Sequence, residues 1–207
     1  MQKNYAILRI KKYKSISAVR ASERHGLERE RVEHRMNVEN EKLNKYKFNN
    51  IYSECKNLKE AYNRAIKNVK KTIRKDAVKT IEIVVSASSF DRINIKEWIQ
   101  DNVDFIRETF GNKSFLSCRL DLDEATPHLH FYVCPLVTRD DGFHLCARHY
   151  IGGKAALITL QDKYAEAMEK HGLCRGDNVQ NQHIDTSKFW SKVEQETIDK
   201  IVSEIQR

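Results

Sequence analysis

The chain has 207 residues, 40% of them hydrophobic and 32% charged, with only 7 Gly and 2 Pro. This composition is typical of one well-packed globular domain and excludes collagen-like, linker-like and disordered chains. No stretch approaches the roughly 20 apolar residues of a membrane span, and the N-terminus has no apolar signal core. We therefore predict a cytoplasmic protein whose five scattered cysteines are reduced thiols.

The positive charge is concentrated in the first part of the chain. The net charge is +8, but residues 1–80 hold 22 Lys and Arg against 9 Asp and Glu, whereas residues 81–207 hold 15 against 20. Clusters of Lys and Arg bind nucleic acid, because neutralising its phosphates releases condensed counterions. The charge pattern indicates a polyanionic partner, with solvated lysine-rich helix faces as the alternative.

Hydrophobic spacing predicts the elements of the first half. Residues 5–10 are a short apolar strand, residues 15–35 are weakly helical, and the Asn-rich residues 37–50 form a loop. Apolar residues at three- and four-residue intervals predict an amphipathic helix over residues 54–74. A β-branched run predicts a central strand over residues 78–86.

The second half continues this alternation of strands and helices. A helix is predicted over residues 94–110, followed by a β-hairpin of strands 115–121 and 128–135. Another helix spans residues 154–171, and an amphipathic tail occupies residues 188–205. These elements predict an α+β fold, a mainly antiparallel sheet backed by helices.

The hairpin carries the chemically most informative residues. Alternation along the second strand puts His128 and His130 on one face, and Leu129 and Phe131 on the core face. The same alternation on the first strand gives two sets: Phe115, Ser117, Arg119 and Asp121 share the histidine face, while Leu116, Cys118 and Leu120 face the core.

Two imidazoles and a facing carboxylate can hold one divalent metal ion. His128, His130 and Asp121 supply these donors, and Glu124 in the turn could be a further ligand or a hydrogen-bond acceptor. Zinc prefers closed tetrahedral N/S sites, whereas this set with open positions suits Mn²⁺ or Mg²⁺ acting on phosphate oxygens. In a basic protein, such a site indicates phosphodiester chemistry.

The segment 120–130, LDLDEATPHLH, resembles the metal motif of the Mob/Pre (MobV-type) plasmid mobilization relaxases, a branch of the HUH endonucleases. Further blocks similar to this family lie at residues 5–14, 37–44, 74–78 and 152–176. The resemblance covers nearly the whole chain. It implies an HUH-endonuclease-like domain over residues 1–187, followed by the C-terminal amphipathic helix 188–207 that could begin a longer tail.

The resemblance also implies an activity and partners. It implies a relaxase that nicks one strand at a plasmid origin of transfer and stays attached to the 5′ phosphate. The expected partners are origin DNA, duplex and single-stranded, and the conjugation machinery, with a homodimer formed through a C-terminal region beyond residue 207. A rolling-circle initiator or transposase of the HUH type, and a non-catalytic DNA-binding regulator with this fold, are the alternatives.

Two positions depart from the family pattern. Asp121 stands where the family usually has a third metal histidine. The segment around Arg24, His25 and Arg29 is similar to the family's nucleophile segment, although it lacks the Asn that usually follows the histidine. The resemblance thus implies that His25 is the nucleophile. The rival nucleophiles are Tyr5, Tyr13 and Tyr46.

The block at residues 74–78 suggests two supporting residues. Arg74 could orient a phosphate or a carboxylate, and Asp76 could orient a histidine; a helix-end ion pair is the alternative. Glu124 is a second candidate for orienting the nucleophile. We expect the phosphate contacts to come from basic side chains of the first half: Lys11, Lys12, Lys14, Arg24, Arg29, Lys70 and Lys71.

Overall fold

The computed structural model describes residues 3–27, 54–122 and 126–176, together with residue 203. The strands are β1 (Asn4–Tyr13), β2 (Thr80–Ala87), β3 (Phe115–Asp121), β4 (His128–Val133), β5 (Leu136–Arg139), β6 (Gly142–Leu145) and β7 (Leu173–Arg175). The helices are α1 (Ile16–Leu27), α2 (Leu58–Ile66), α3 (Ile95–Phe110), α4 (Ala147–Ile151) and α5 (Lys154–Ala167). The predicted loop at 37–50 and tail at 188–205 lie outside the described ranges, except for residue 203.

Five strands form the main sheet in the order β3-β4-β2-β1-β7. All neighbours are antiparallel except β1 and β7, which are parallel. The predicted class, a mainly antiparallel sheet backed by helices, is confirmed. Within the described ranges, no helix combines the length and the apolar character needed to cross a membrane.

Both faces of this sheet are packed. On one face, β2 and β4 bury Ile81, Ile83 and Phe131 against side chains of α3 and α5 such as Trp98 and Tyr164. The opposite face is packed against α1 and α2 through a second cluster: Tyr13, Val19, Leu58, Ala61, Tyr62, Ala65, Leu116, Tyr132, Cys134 and Leu136. The predicted histidine face belongs to this second side.

The helix α3 matches its prediction because its signals are local. The Asn94 side chain accepts hydrogen bonds from the backbone N–H groups of Lys96 and Glu97, which would otherwise lack partners. Gly111 ends the helix with φ of +84°, a conformation that residues with a Cβ rarely adopt. The predicted apolar stripe is buried: Ile95, Trp98, Ile99, Val103, Ile106 and Phe110.

The helix predicted over residues 54–74 is wrong in length. The observed α2 ends at Ile66, and the backbone then pairs with the β5–β6 hairpin. The N–H of Lys70 donates to the carbonyl of Phe143 at 3.1 Å, beside a bridge between Val69 and Phe143. Hydrogen bonds to a distant strand therefore override the helical spacing of Val69 and Ile73.

The side-chain faces at the start of β3 are also opposite to the prediction. A register shift between Phe115 and Ser117 leaves Leu116 as an extra residue. Phe115 consequently packs on Phe131 in the first core, with ring centroids 5.9 Å apart, and Leu116 joins the second cluster. A bulge inserts one residue, so the predicted alternation holds only after it.

The sequence analysis missed β5, β6, β7 and α4. The two-residue turn of the β5–β6 hairpin contains Asp140 and Asp141, with Arg139 in register with Gly142. The dipeptide Asp141-Gly142 overlaps this turn by one residue, and Asp-Gly is a recognised hairpin signal that could have indicated it. The strand β7 has three residues and pairs with residues of β1 that lie 169 positions away, so no local signal specifies it.

Candidate metal centre

Three potential metal ligands meet at the end of the β3–β4 hairpin. Asp121 lies opposite His128 in the antiparallel register, and His130 follows two residues later on the same face. One ligand atom from each side chain lies within 4.8 Å of the others. Across the described part of the chain, no other group of three His, Cys, Asp or Glu side chains meets in this way.

The ring of His128 is oriented by the backbone just before it. Its Nδ1 lies 2.9 Å from the carbonyl oxygen of Thr126. A carbonyl only accepts, so this nitrogen carries the hydrogen, and the other ring nitrogen is Nε2. That Nε2 lies 3.6 Å from Oδ2 of Asp121. The Ser86 hydroxyl donates to the carbonyl of Pro127 at 2.8 Å, which holds the same segment against β2.

The ring of His130 is oriented by a buried carboxylate. Its Nδ1 donates to Oε1 of Glu82 at 2.9 Å, and its Nε2 lies 3.5 Å from Oδ2 of Asp121. Burial lowers the pKa of His130, and the charge of nearby His128 lowers it further against the opposing effect of Glu82. The two imidazoles thus direct their Nε2 atoms toward the same carboxylate oxygen.

Glu82 is a central residue of the site that the sequence analysis missed. Besides His130, it accepts hydrogen bonds from the hydroxyls of Tyr13 at 2.6 Å and Tyr132 at 2.9 Å. Burial alone would raise its pKa, but these hydrogen bonds outweigh burial and lower the pKa to about 2. The only sequence signal for this role is that Glu82 is the one charged residue in β2.

Asp121 is held by an arginine of its own strand. The guanidinium of Arg119 donates through Nε to Oδ1 at 2.6 Å and through Nη2 to Oδ2 at 2.8 Å. Burial alone would raise the pKa of Asp121, but the charges of Arg119 and His128 and the Arg119 hydrogen bonds lower it to about 2. Asp121 therefore stays ionised in a fully buried position.

The donor chemistry of this cluster fits a divalent metal ion. Two imidazole nitrogens and one carboxylate oxygen converge, and each imidazole is fixed by a hydrogen bond from its other nitrogen, as is usual for metal-binding histidines. A set of three protein ligands leaves coordination positions for a substrate oxygen. The arrangement can therefore bind a cation and present it to a phosphate.

The helix that carries His25 is anchored to this site. Ser22 Oγ lies 3.0 Å from the Tyr132 hydroxyl, and Glu23 accepts a hydrogen bond from the N–H of Leu58 at 2.9 Å. These contacts tie α1 to the sheet and to the start of α2. His25 lies one turn after Ser22 in α1, and its side chain lies outside the described atoms, as do Arg29, Tyr46 and Glu124.

The rival nucleophiles and supporting residues have other surroundings. Tyr13 is buried and donates its hydroxyl to Glu82, whereas Tyr5 is half-buried on β1. Arg74 and Asp76 are exposed and pair with each other, Nε to Oδ1, at 3.5 Å. They come just before Thr80, where β2 begins. His128 pairs with Ser86, near the other end of β2. The structure thus does not bring this pair to the metal ligands.

The predicted DNA-binding residues that are described are all exposed: Lys11, Lys12, Lys14, Arg24, Lys70 and Lys71. The pairing of β1 with β2 places the basic residues of β1 on both faces of the sheet. Lys11 pairs with Glu82 and therefore shares the metal face, whereas Lys12 pairs with Ile81 and lies on the other face. Arg9, which the sequence analysis missed, is exposed and pairs with Val84, the partner of His130.

Comparisons with known proteins agree with this fold. A family model described as plasmid recombination enzyme, Mob_Pre, matches residues 2–191. The plasmid recombination enzyme type 3 of Staphylococcus aureus is 29% identical over 92% of this chain and 48% of its own length. A 65 kDa protein of Zymomonas mobilis is 30% identical over 84% of this chain and 30% of its own length. The chain thus spans about half the length, or less, of these relatives.

A solved structure shows the same fold. The MobM relaxase domain, bound to plasmid pMV158 oriT DNA in a manganese-bound crystal structure, matches with a TM-score of 0.70 at 22% identity. The match covers 89% of this chain and 97% of that domain. Because the family match extends over nearly the whole chain and the fold agrees, the chain belongs to the Mob_Pre family of plasmid recombination enzymes.

Proposed function

We propose that this chain is a metal-dependent DNA relaxase that nicks one strand at a plasmid origin of transfer. The observation that carries the proposal is the cluster of Asp121, His128 and His130, in which the Nε2 atoms of both histidines face one carboxylate oxygen. The related MobM relaxase domain binds manganese and plasmid oriT DNA, which supports a divalent cation and origin DNA as ligands here.

The direct test is a nicking assay on supercoiled plasmid that carries the cognate origin. A relaxase converts the plasmid to the open-circular form in the presence of Mn²⁺ or Mg²⁺ and not in excess EDTA. A DNA-binding regulator with this fold would shift the plasmid in a gel under both conditions without relaxing it. This outcome would overturn the catalytic proposal.

Asp121, His128 and His130 would hold the cation. Bound there, Mn²⁺ or Mg²⁺ would polarise a non-bridging oxygen of the scissile phosphate and stabilise the charge that develops on it. The residues of the chain supply the geometry: Glu82 and the carbonyl of Thr126 fix the two rings, and Arg119 fixes the carboxylate.

We expect Glu82→Gln to lower the affinity for Mn²⁺ by about 10- to 100-fold, the usual effect of removing a group that orients a metal ligand. A neutral amide oxygen is a weaker acceptor than a carboxylate for the hydrogen bonds from His130, Tyr13 and Tyr132. Isothermal titration calorimetry measures the affinity. Glu108→Gln, an exposed change on α3, is the matched control. Wild-type affinity in Glu82→Gln would show that this carboxylate does not support the site.

His25 is our candidate for the nucleophile. In the step proposed, an unprotonated imidazole nitrogen bonds to phosphorus while the bond from phosphorus to the 3′ oxygen breaks. That oxygen takes a proton from water and leaves as a 3′ hydroxyl. The imidazole gives the proton of its other nitrogen to water, and the 5′ phosphate stays on the protein as a phosphoramidate. The covalent bond keeps the phosphate activated for rejoining.

The backbone supports this choice of nucleophile. Ser22 contacts Tyr132, and helix positions three residues apart share a face. His25 follows Ser22 by three positions along the backbone of α1, and this spacing supports its choice as the nucleophile. Arg74, Asp76 and Glu124 stay as weaker candidates for a supporting role, the first two because they lie beyond the far end of β2.

The exposed basic residues on the metal face are candidates for phosphate contacts. Arg9 lies two strands from His130 in register, about 10 Å away at the usual strand spacing. Lys11 follows on the same face. We assign the first phosphate contacts to Arg9 and Lys11, followed by the remaining basic side chains of the first half: Lys12, Lys14, Arg24, Arg29, Lys70 and Lys71.

DNA binding is expected to weaken steeply with salt. For each phosphate neutralised, the slope of log affinity against log salt concentration is about −0.9 on duplex and about −0.7 on single-stranded DNA. Arg9→Gln and Lys11→Gln should each reduce the steepness by roughly one contact, as fluorescence anisotropy can measure. Lys96→Gln and Lys163→Gln, exposed changes on the helices behind the opposite face, should leave it unchanged. A slope near zero in the wild type would contradict the electrostatic basis of binding.

The wider organisation follows from the same proposal. Residues 1–187 would form the relaxase domain, and residues 188–207 a C-terminal helix. We propose the conjugation machinery and a second copy of the chain as partners, and the cytoplasm as the place where the protein meets plasmid DNA.

The alternative of a replication initiator or transposase has less support. Such enzymes of the HUH type would present a tyrosine on a helix after the His-x-His strand. Tyr164 on α5 is buried, with its hydroxyl bonded to Asn102 at 2.9 Å. Burial also raises its pKa, which disfavours the phenolate nucleophile.

A further inference from the structure

Arg119 and Asp121 form a buried two-point ion pair inside the candidate metal centre. They are two residues apart on β3, and only 8% of the Arg119 side chain and none of the Asp121 side chain are exposed. The two hydrogen bonds use both nitrogens on one edge of the guanidinium and both carboxylate oxygens. This fork geometry is specific to arginine, since a lysine ammonium is a point charge.

The fork fixes the orientation of the carboxylate. Oδ2 accepts from Nη2 of Arg119 and is also the oxygen that lies 3.6 Å from Nε2 of His128 and 3.5 Å from Nε2 of His130. Without the second contact at Oδ1, rotation about the last side-chain bond could exchange the two oxygens. Arg119 therefore leaves Oδ2 as the oxygen presented to the imidazoles.

The ion pair also sets the charge of the site. Imidazoles must be neutral to ligate a metal ion, and in that form the two histidines and one carboxylate carry a charge of −1, which the guanidinium cancels. A positive charge beside a cation site weakens cation binding by Coulomb repulsion, whereas a rigid, preoriented ligand strengthens it. These two effects of Arg119 have opposite signs, so substitutions can separate them.

We propose that Arg119 is a positioning residue of the metal centre, which aligns Asp121 for one-oxygen coordination and whose alignment outweighs its charge repulsion. The proposal rests on the metal site of the proposed function but not on nicking activity. Its prediction concerns metal affinity: any change that breaks the fork weakens binding, whether or not the positive charge is kept.

The experiment measures Mn²⁺ binding to the full chain from the electron paramagnetic resonance signal of free Mn²⁺. R119K keeps the charge and loses the fork, and R119Q loses both. We expect each variant to bind Mn²⁺ about 10- to 100-fold more weakly than the wild type. The control is R175K, because Arg175 also uses Nε and Nη2, toward Asp162 and Gln161, at a site remote from the metal ligands. It should bind like the wild type.

Two results would overturn the inference. Wild-type affinity in R119K would show that a positive charge without the two-point contact is sufficient to position Asp121. Tighter binding in R119Q would show that charge repulsion by Arg119 outweighs its alignment of Asp121. Absence of Mn²⁺ binding by the wild type would instead refute the metal site itself. Thermal unfolding in EDTA identifies any variant that fails to fold.

A reciprocal exchange keeps the test decisive if the single variants are unstable. D121H offers a third imidazole but leaves the buried guanidinium without its carboxylate, so it should bind metal poorly. The double variant R119M with D121H removes that charge and should recover binding, with a higher ratio of Ni²⁺ to Mn²⁺ affinity because imidazole suits Ni²⁺ better than a carboxylate does. Equal binding by D121H and the double variant would show that positions 119 and 121 are not coupled.

Discussion

Replacing His128 or His130 with alanine is expected to abolish plasmid nicking while leaving origin binding largely intact. Each change removes one nitrogen from a three-ligand cluster and leaves the exposed basic residues unchanged. A metal ion supplies several kcal/mol of transition-state charge stabilisation, and 1.36 kcal/mol corresponds to a tenfold change in rate. We therefore expect nicking to fall by about 10³-fold or more, measured with supercoiled plasmid after removal of trace metal.

Two controls make this result specific. His149→Ala removes an exposed histidine on α4 and should nick at the wild-type rate. Circular dichroism in EDTA should show that His128→Ala and His130→Ala fold, since a loss of activity through unfolding would also remove DNA binding. Normal nicking by either variant in added Mn²⁺ would mean that the catalytic cation lies elsewhere.

Replacing His25 with alanine is expected to eliminate the covalent protein–DNA adduct while preserving metal binding. If His25 attacks the scissile phosphate, no other step can form the adduct, so the loss should be complete. A denaturing gel detects the adduct, and Mn²⁺ titration monitors the metal site. The wild-type adduct should also be acid-labile and alkali-stable, because a phosphoramidate hydrolyses on protonation whereas a phosphotyrosine ester survives mild acid.

Mass spectrometry of the trapped adduct identifies the modified residue directly. Tyr5→Phe and Tyr46→Phe should retain the adduct if histidine is the nucleophile. Tyr13→Phe is less informative as a variant, because it removes a hydrogen bond to the buried Glu82 carboxylate. A nucleotide found on Tyr5, Tyr13 or Tyr46 would refute the histidine mechanism and leave the relaxase proposal standing.

Elements with strong local signals could be predicted from the sequence almost to the residue. The helix α3 begins after Asn94 and ends before Gly111, where a capping side chain and a positive φ act within one turn. The hairpin of β3 and β4 is similarly local, because six residues join its strands. Its alternation was sufficient to predict that Asp121, His128 and His130 would meet.

Elements that depend on distant backbone pairing could not be predicted. The spacing of apolar residues continues past Ile66, but α2 stops there because Lys70 bonds to Phe143, more than 70 residues away. The bulge at Leu116 reversed two side chains at the start of β3, since an inserted residue changes the face without changing the composition of the strand.

The sequence by itself determined the class of chemistry: a strand with two histidines, a facing carboxylate, and a basic first half. Only the tertiary structure decided what surrounds these ligands. Glu82 reaches His130 across 48 residues, and Arg9 joins the same face two strands away, because β2 lies between β4 and β1 in the sheet. Alternation specifies which face a side chain occupies, but strand order, set by packing of the whole chain, specifies its neighbours.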